Sequence, residues 1–481
     1  MSRKPNIILI TADQHRGDCL GCAGHPVLET PYLDELAGTG ARFVHAYSSV
    51  PVCMPARAAI LTGMDQWNHG RLMAAGGDYL VFPATLPGEL GKAGYQTAVI
   101  GSMGQRPLRA TYGFQQQTII DDYVSWVEKQ TGGVYGYRDH GLAANSWVAR
   151  PSNLPEHLHV THWQASQAID FIQRRDPTRP FFLWLSFIRP HTPFDPPQVY
   201  FDMYRDRPDL PEPAVGEWSS AFNQRVDDVN AHRTCLSRAE IRRARAGYYG
   251  NITFVDHQVG RLLNHLRLSQ PRAYENTLII FTSDHGDMLG DHHYWRKTYG
   301  YEGSARIPFI IRWPKAWGIP GGQVRTEPIE LRDVMPTLLD AAGAPIPESV
   351  DGSSLLPLLR GEDVRWRAFV QGECSVCFTP EQGMQYITDG KEKYIWFHHT
   401  GEEQFFDLVS DPLECNDLSK NPEEEERIAR WRSRLASINE RRGDPRGQGG
   451  RLVPQPNGAI RLSPNYYRWK EAGERALSQV E

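Results

Sequence analysis

An α/β fold, built on a large, mostly parallel mixed sheet covered by helices on both faces, is predicted by three observations. Short, β-rich apolar runs recur through the first two thirds of the 481-residue chain, without polar alternation, as strands buried on both faces require. Segments with helical periodicity separate them, which is the pattern of βαβ crossovers. From about residue 360 the texture changes to short strands between Gly and Pro turns, which predicts a second, small antiparallel sheet with a helix. The length asks for two or three domains. The expected division is a main α/β domain over 1–362, a small C-terminal α+β subdomain over 363–442 and an extended tail over 443–481.

Asn6–Ala12 reads Asn-Ile-Ile-Leu-Ile-Thr-Ala, a strand that delivers Asp13 and Gln14 at its carboxyl end. In open α/β sheets that end faces ligands, so an acid there is placed to hold a cation. A solvated turn aspartate is the plainer alternative. A helix is expected over 28–48, with Pro31 near its start and Leu33, Leu36 and Ala37 on one face. Next comes Cys53-Met54-Pro55-Ala56-Arg57. Pro55 suits the first position of a helix, where its missing N–H costs least, and Arg57, Ile60, Leu61 and Met64 continue at helical spacing. Cys53 is therefore expected just before a helix N-terminus, where free N–H groups and the dipole lower a thiol's pKa. The plainer alternative is a buried structural cysteine.

Tyr95–Ser102 is the second buried strand. Residues 103–158, rich in Gly, Tyr, Arg and Trp with weak periodicity, are expected to form pocket walls. A helix fits 161–175, burying Trp163, Ile169 and Ile172. Phe181–Phe187 is the third strand and leads to His191, held between Pro190 and Pro193. Loop is expected over 196–235. Ile252, Val255, Val259, Leu262 and Leu266 then step at helical spacing, marking a long amphipathic helix. Thr277–Thr282 is the fourth strand, ending in Ser283-Asp284-His285-Gly286 with Lys297 further on, and Pro308–Trp313 is the fifth. In the small subdomain, strands are expected at Val376–Phe378, Gln385–Thr388 and Lys393–Phe397. Asn421-Pro422 and the glutamates after it start a helix that turns Ile428, Trp431, Leu435 and Ile438 to the sheet. The tail carries Tyr466, Tyr467 and Trp469 but cannot form its own core. If ordered, it is expected at the interface of a homo-oligomer.

A net charge of −5 with no basic block argues against nucleic acid. No apolar run approaches the roughly 20 residues of a membrane span, so no membrane partner is expected. Met1-Ser2-Arg3-Lys4-Pro5 leads straight into a strand without a signal-like stretch, and a soluble cytoplasmic protein is expected. Seven dispersed cysteines do not look like a disulfide framework. Cys19-x-x-Cys22 and Cys374-x-x-Cys377 each have half a zinc site's spacing but lie far apart, so reduced thiols are expected.

Three strand ends thus supply Asp13 with Gln14, His191, and Asp284 with His285, and a helix start supplies Cys53 and Arg57. Two carboxylates, an amide and an imidazole suit a divalent cation such as Ca²⁺, Mn²⁺ or Mg²⁺. Arg57 and Lys297 can neutralise an oxyanion, and His191 can protonate a leaving oxygen.

Cys53-x-Pro55-x-Arg57, with Thr62-Gly63 after it, resembles the signature of type I sulfatases of the alkaline-phosphatase superfamily. The likeness covers most of the chain. It includes the Asp13 strand end, Pro190-His191, Ser283–Gly286 with Lys297, Tyr301–Pro308, and Phe406-Asp407-Leu408 with Asp411-Pro412. The resemblance implies an alkaline-phosphatase-like fold and hydrolysis of an organic sulfate ester, on an aryl, small-molecule or saccharide alcohol. It implies that a maturation enzyme oxidises Cys53 to formylglycine, whose hydrate is the nucleophile. It implies one divalent metal, Ca²⁺ first and Mn²⁺ or Mg²⁺ as alternatives, held by Asp13, Gln14, the modified Cys53, Asp284 and His285. By the same resemblance Arg57, His191 and Lys297 hold the substrate's anionic group and help the alcohol leave, with Asp284 as base.

Two departures stand out. His285 replaces the Asn that many sulfatases carry, as in choline-sulfatase-like and phosphonate monoester hydrolase members. After the second strand the usual Gly-Lys-x-His reads Gly101-Ser102-Met103-Gly104, with Arg106 or Arg109 as candidates to reach the vacancy. Phosphonate monoester or phosphodiester hydrolysis on the same scaffold is the alternative enzyme reading. A catalytically silent binding protein is the alternative from a different class, and the intact Cys53, Arg57, Asp13, Asp284, His191 and Lys297 speak against it.

Overall fold

The computed structural model describes residues 4–134, 136, 139–376 and 378–479. Eight strands form one sheet, in the order Gln116–Ile119, Gln96–Gly101, Phe181–Phe187, Asn6–Ala12, Thr277–Thr282, Phe309–Arg312, Ala41–Phe43 and Gln323–Arg325. The first five run parallel, Phe309–Arg312 is antiparallel to both neighbours, and the last two are parallel to each other. Successive side chains on a strand point to opposite faces. Ile7, Leu9, Phe182, Trp184 and Ile280 therefore join one core with Ala56, Ile60 and Leu338. Ile8, Ile10, Leu183, Leu185 and Phe281 join the other with Ile172, Val255, Val259 and Leu262. Helices cover both faces, which is why these runs are apolar throughout.

The five expected strands of the large sheet are present. The short strands Ala41–Phe43, Gln116–Ile119 and Gln323–Arg325 escape a periodicity reading, since three or four residues carry no measurable period. The helix expected over 28–48 stops at Thr39, because Ala41 and Arg42 pair with Ile311 and Ile310. The long helix runs from Arg238 to Ser269, starting well before its first predicted apolar residue. Ser237 and Glu240 close a capping box at its head. The loop expected over 196–235 contains the helix Gln198–Arg205, which buries Tyr200, Phe201 and Tyr204. The stretch 103–158 likewise contains the helix Ile120–Gln130.

The small sheet has four antiparallel strands in the order Val370–Cys374, Met384–Thr388, Glu392–Phe397 and Glu403–Asp407. The strand expected at 376–378 involves Cys377, which lies outside the described residues; the edge strand runs just before it. Ile428, Trp431 and Leu435 of the helix Glu425–Arg441 pack on Ile387, Tyr394, Trp396 and Phe405. The sheet is pinned to the main domain by the buried Lys393, which meets Glu302 at 2.8 Å and Glu414 at 2.9 Å. The tail packs on its own chain. In its helix Pro464–Leu477, Tyr466 donates to Asp78 at 2.6 Å and Trp469 donates to the Asn68 carbonyl at 2.8 Å. No helix among the described residues is long and apolar enough to cross a membrane.

Candidate active site

Adjacent parallel strands bring their carboxyl ends together. Asn6–Ala12 therefore places Asp13 beside Asp284 from Thr277–Thr282. Ser283 ties the two ends, donating to the Ala12 carbonyl at 2.7 Å and accepting from the His15 N–H at 2.9 Å. Cys53 points in from the side as the first residue of the helix Cys53–Thr62. The helix thus begins two residues before the predicted start at Pro55, and Pro55 sits inside its first turn, where no intrahelical donor is needed.

Asp13, Cys53, Asp284 and His285 present donor atoms that all lie within 4.8 Å of one another. Cys53 Sγ is 3.1 Å from His285 Nε2 and 3.7 Å from Asp13 Oδ1. His285 Nε2 is 3.7 Å from an oxygen of each aspartate. The Gly286 carbonyl accepts from His285 Nδ1 at 2.9 Å, which leaves the Nε2 lone pair aimed at the cluster. Burial lowers His285 and keeps it neutral. Two carboxylates, a neutral imidazole and a fourth side chain converging on one point fit a divalent cation.

Arg57 braces this floor. It donates to Asp284 at 2.9 Å, to Asp13 at 2.7 Å and to the Ser102 carbonyl at 2.8 Å, and it is 2% exposed. It was expected to hold the substrate's anion; its nitrogens instead hold both carboxylates and a backbone oxygen. Burial pulls Asp13 up, but Arg57, with His191, Lys297 and His285 behind it, holds the carboxyl well below the usual range. Burial and the Asp13 carboxylate push the Cys53 thiol up to about 12. The helix terminus therefore does not deliver a thiolate, contrary to the sequence-based expectation.

Lys297 and His191 close the opposite side. Lys297 Nζ lies 3.5 Å from Cys53 Sγ, 2.9 Å from Gln14 Oε1 and 2.6 Å from His191 Nε2. The Thr192 carbonyl accepts from His191 Nδ1 at 2.7 Å, so Nε2 is the acceptor of the lysine proton. Burial, then Lys297, push His191 down to about 3. Gln14 has φ 70°, a left-handed conformation rare outside glycine. It is held there by Tyr248, which donates to its carbonyl at 2.7 Å, and by Asp287, which accepts from its Nε2 at 2.5 Å.

Asp13, Gln14, Cys53, Arg57, His191, Asp284, His285 and Lys297 meet in this one place. Neither Arg106 nor Arg109 fills the vacancy after Gly101: Arg106 is exposed, and Arg109 pairs with Asp122 at 2.7 Å. A Cβ at Gly104 would lie 2.8 Å from Arg57 Cδ, so this position has no room for a side chain as Arg57 stands. Tyr248, Ser283 and Asp287 were not predicted as parts of the site. Their positions follow from tertiary contacts, although Tyr248 lies in phase with the buried stripe of its helix.

Residues 5–344 match the Sulfatase family model, and residues 290–441 match that of the N-sulphoglucosamine sulphohydrolase C-terminal region. The chain is 43% identical over 475 residues to an arylsulfatase of Clostridium perfringens, covering 94% of this chain and 97% of that protein. It is 26% identical over 485 residues to an N-acetylglucosamine-6-O-sulfatase of Bacteroides thetaiotaomicron, covering 87% and 83%. Among solved structures, the phosphonate monoester hydrolase of Agrobacterium radiobacter aligns with a TM-score of 0.77 at 26% identity, covering 91% of this chain and 96% of that one.

Proposed function

Because the chain belongs to the sulfatase family, we propose that Cys53 is the residue converted to formylglycine and that the surrounding donors hold one Ca²⁺ ion. The protein is a sulfuric ester hydrolase of the arylsulfatase type. The observation that carries the assignment is the convergence of Asp13, Cys53, Asp284 and His285 on one point. Asp13, Asp284 and His285 would hold the ion, with Gln14 beside them. When bound, the cation polarises the oxygens it touches and lowers the pKa of a bound hydroxyl. As formylglycine, residue 53 supplies a hydrated aldehyde whose second oxygen allows release of sulfate without attack of water at sulfur.

This chain's own residues do the rest. Arg57 fixes both carboxylates and keeps Asp13 ionised. Lys297, 3.5 Å from Cys53 Sγ, is placed to bind a sulfuryl oxygen and to donate toward the departing alcohol. His191 is a neutral acceptor on Lys297, so it orients the ammonium that faces Cys53. The substrate class we infer is a sulfated saccharide or aryl alcohol.

A second reading has two observations behind it. Ser102 and Gly104 replace the usual Lys and His, and the phosphonate monoester hydrolase aligns over most of the chain. Rates on parallel panels of aryl sulfates and phosphonate monoesters separate the two. The primary test is mass spectrometry of the tryptic peptide from Phe43 to Arg57, from a host that contains a formylglycine-forming enzyme. An aldehyde or hydrate at residue 53 is expected. Unmodified cysteine alone in active protein would overturn the assignment.

A further inference from the structure

We propose that Arg233 and Arg296, with Phe378 between their loops, form a second anion subsite beside the sulfate-ester centre, which takes another acidic group carried by the organic part of the substrate. The inference rests on the sulfate-ester reading and names a further feature of the substrate: a second oxyanion, either sulfate or carboxylate.

The argument starts from charge. The arginines of the site's floor are neutralised: Arg57 meets Asp13 and Asp284, and Arg16 and Arg245 meet Asp291. Arg233 and Arg296 are half-buried, and neither has a carboxylate partner among the described residues. Burying a guanidinium without an anion is costly. Aromatic rings offset part of that cost. Arg233 lies over the Phe222 ring at 4.2 Å and the Tyr294 ring at 4.6 Å, and Arg296 lies over Phe378 at 4.4 Å. Rings engage the faces of a guanidinium, while the N–H groups point outward in its plane. One of those edges on Arg296 reaches the Asn230 carbonyl, and the buried Nε of each arginine has no acceptor.

Location follows from the chain. Arg296 immediately precedes Lys297, and its backbone N–H donates at 2.9 Å to Asp287, the carboxylate that also holds Gln14. His232 stacks on Phe378 with centroids 4.5 Å apart and planes 13° apart. Burial, then the two arginines, push His232 down to about 4, so it adds no positive charge of its own. Phe378 is half-buried and comes from the small subdomain, so the two domains share this wall. Planar cations stacked on aromatic rings, without a carboxylate to neutralise them among the described residues, suit a ring-bearing molecule with a pendant oxyanion.

The test is steady-state kinetics of the formylglycine-containing protein on four probes: nitrophenyl sulfate, a monosulfated disaccharide, the same disaccharide with a second sulfate, and the same with a carboxylate. Wild type is expected to favour one or both dianionic sugars over the monosulfated one, and this preference should weaken as salt is added. In Arg233→Gln and Arg296→Gln, kcat/KM for the favoured dianion should fall about tenfold more than for nitrophenyl sulfate. Arg296→Lys should recover part of the loss. Should a glutamine variant misfold, the salt dependence of wild type still decides. Equal losses on all probes would make the arginines structural and overturn the subsite, as would a wild type without preference between one and two acid groups. Activity on nitrophenyl sulfate with no dianion preference defeats the subsite alone, whereas no activity on any sulfate defeats the underlying reading.

Discussion

Arg57 reaches Asp13 and Asp284 with different nitrogens, and that one side chain sets the cost of change at either carboxylate. Asp284→Asn removes a carboxylate proposed to hold the metal and leaves a buried guanidinium half-paired. Breaking a buried pair typically costs about 3–5 kcal/mol. The variant should therefore melt at lower temperature and bind no cation. Elemental analysis of the folded variant checks this, and a full complement of metal would sink the ligand assignment. Lys297 and His191 call for a kinetic test. If they stabilise charge on the departing oxygen, His191→Ala and Lys297→Ala should lower kcat by about 10²–10⁴-fold, and most for poor leaving groups. The measurement is kcat over a series of aryl sulfates. Lines for wild type and variants that stay parallel against leaving-group pKa would remove both residues from that role.

At the scale of elements, the tail helix Pro464–Leu477 acts as a strap over residues 67–80. Tyr466 is 1% exposed, takes Arg71 over its ring at 5.2 Å and donates to Asp78 at 2.6 Å. Its hydroxyl fills the space above Gly76, where a Cβ would lie 1.9 Å away. The strapped loop also binds the small subdomain, since the Leu72 carbonyl accepts from the Ser375 N–H at 3.0 Å. Tyr466→Ala opens a cavity and removes two contacts at once, so a loss of about 3 kcal/mol is expected. Thermal unfolding checks the magnitude, and limited proteolysis checks the place. New cleavage should appear within 71–79; cleavage confined to the tail would mean the loop holds itself.

Over the whole molecule, buried histidines make stability depend on pH. Burial pushes His69 and His398 down to about 3, and both are at most 1% exposed. The folded chain refuses protons that the unfolded chain accepts near the ordinary value. Their contribution is therefore complete above pH 6.5 and is lost as pH falls through 6.5 toward 3. The slope is about 1.4 kcal/mol per histidine per pH unit. Melting temperature should drop between pH 7 and pH 5, and His398→Phe should flatten that drop. An unchanged slope in the variant would show that other groups carry the acid sensitivity.

Sequence alone determined the central strands and the sheet's parallel character, and it singled out the polar residues that meet at the strand ends. The reason is local: a strand buried on both faces must be apolar along its length, and polar residues at its end stand out against it. The signature around Cys53 added specificity that no single residue has. Tertiary structure decided what those residues touch. Arg57 is written into the motif, yet only packing turns its nitrogens to Asp13, Asp284 and the Ser102 carbonyl. Cys53 stands at a helix start, a setting that lowers a thiol's pKa, but burial beside Asp13 reverses the sign. Tyr248, Ser283, Asp287 and Tyr466 act through partners far away in sequence, as do the three-residue strands Ala41–Phe43 and Gln323–Arg325. No periodicity encodes such contacts, because they depend on which surfaces the folded sheet brings together.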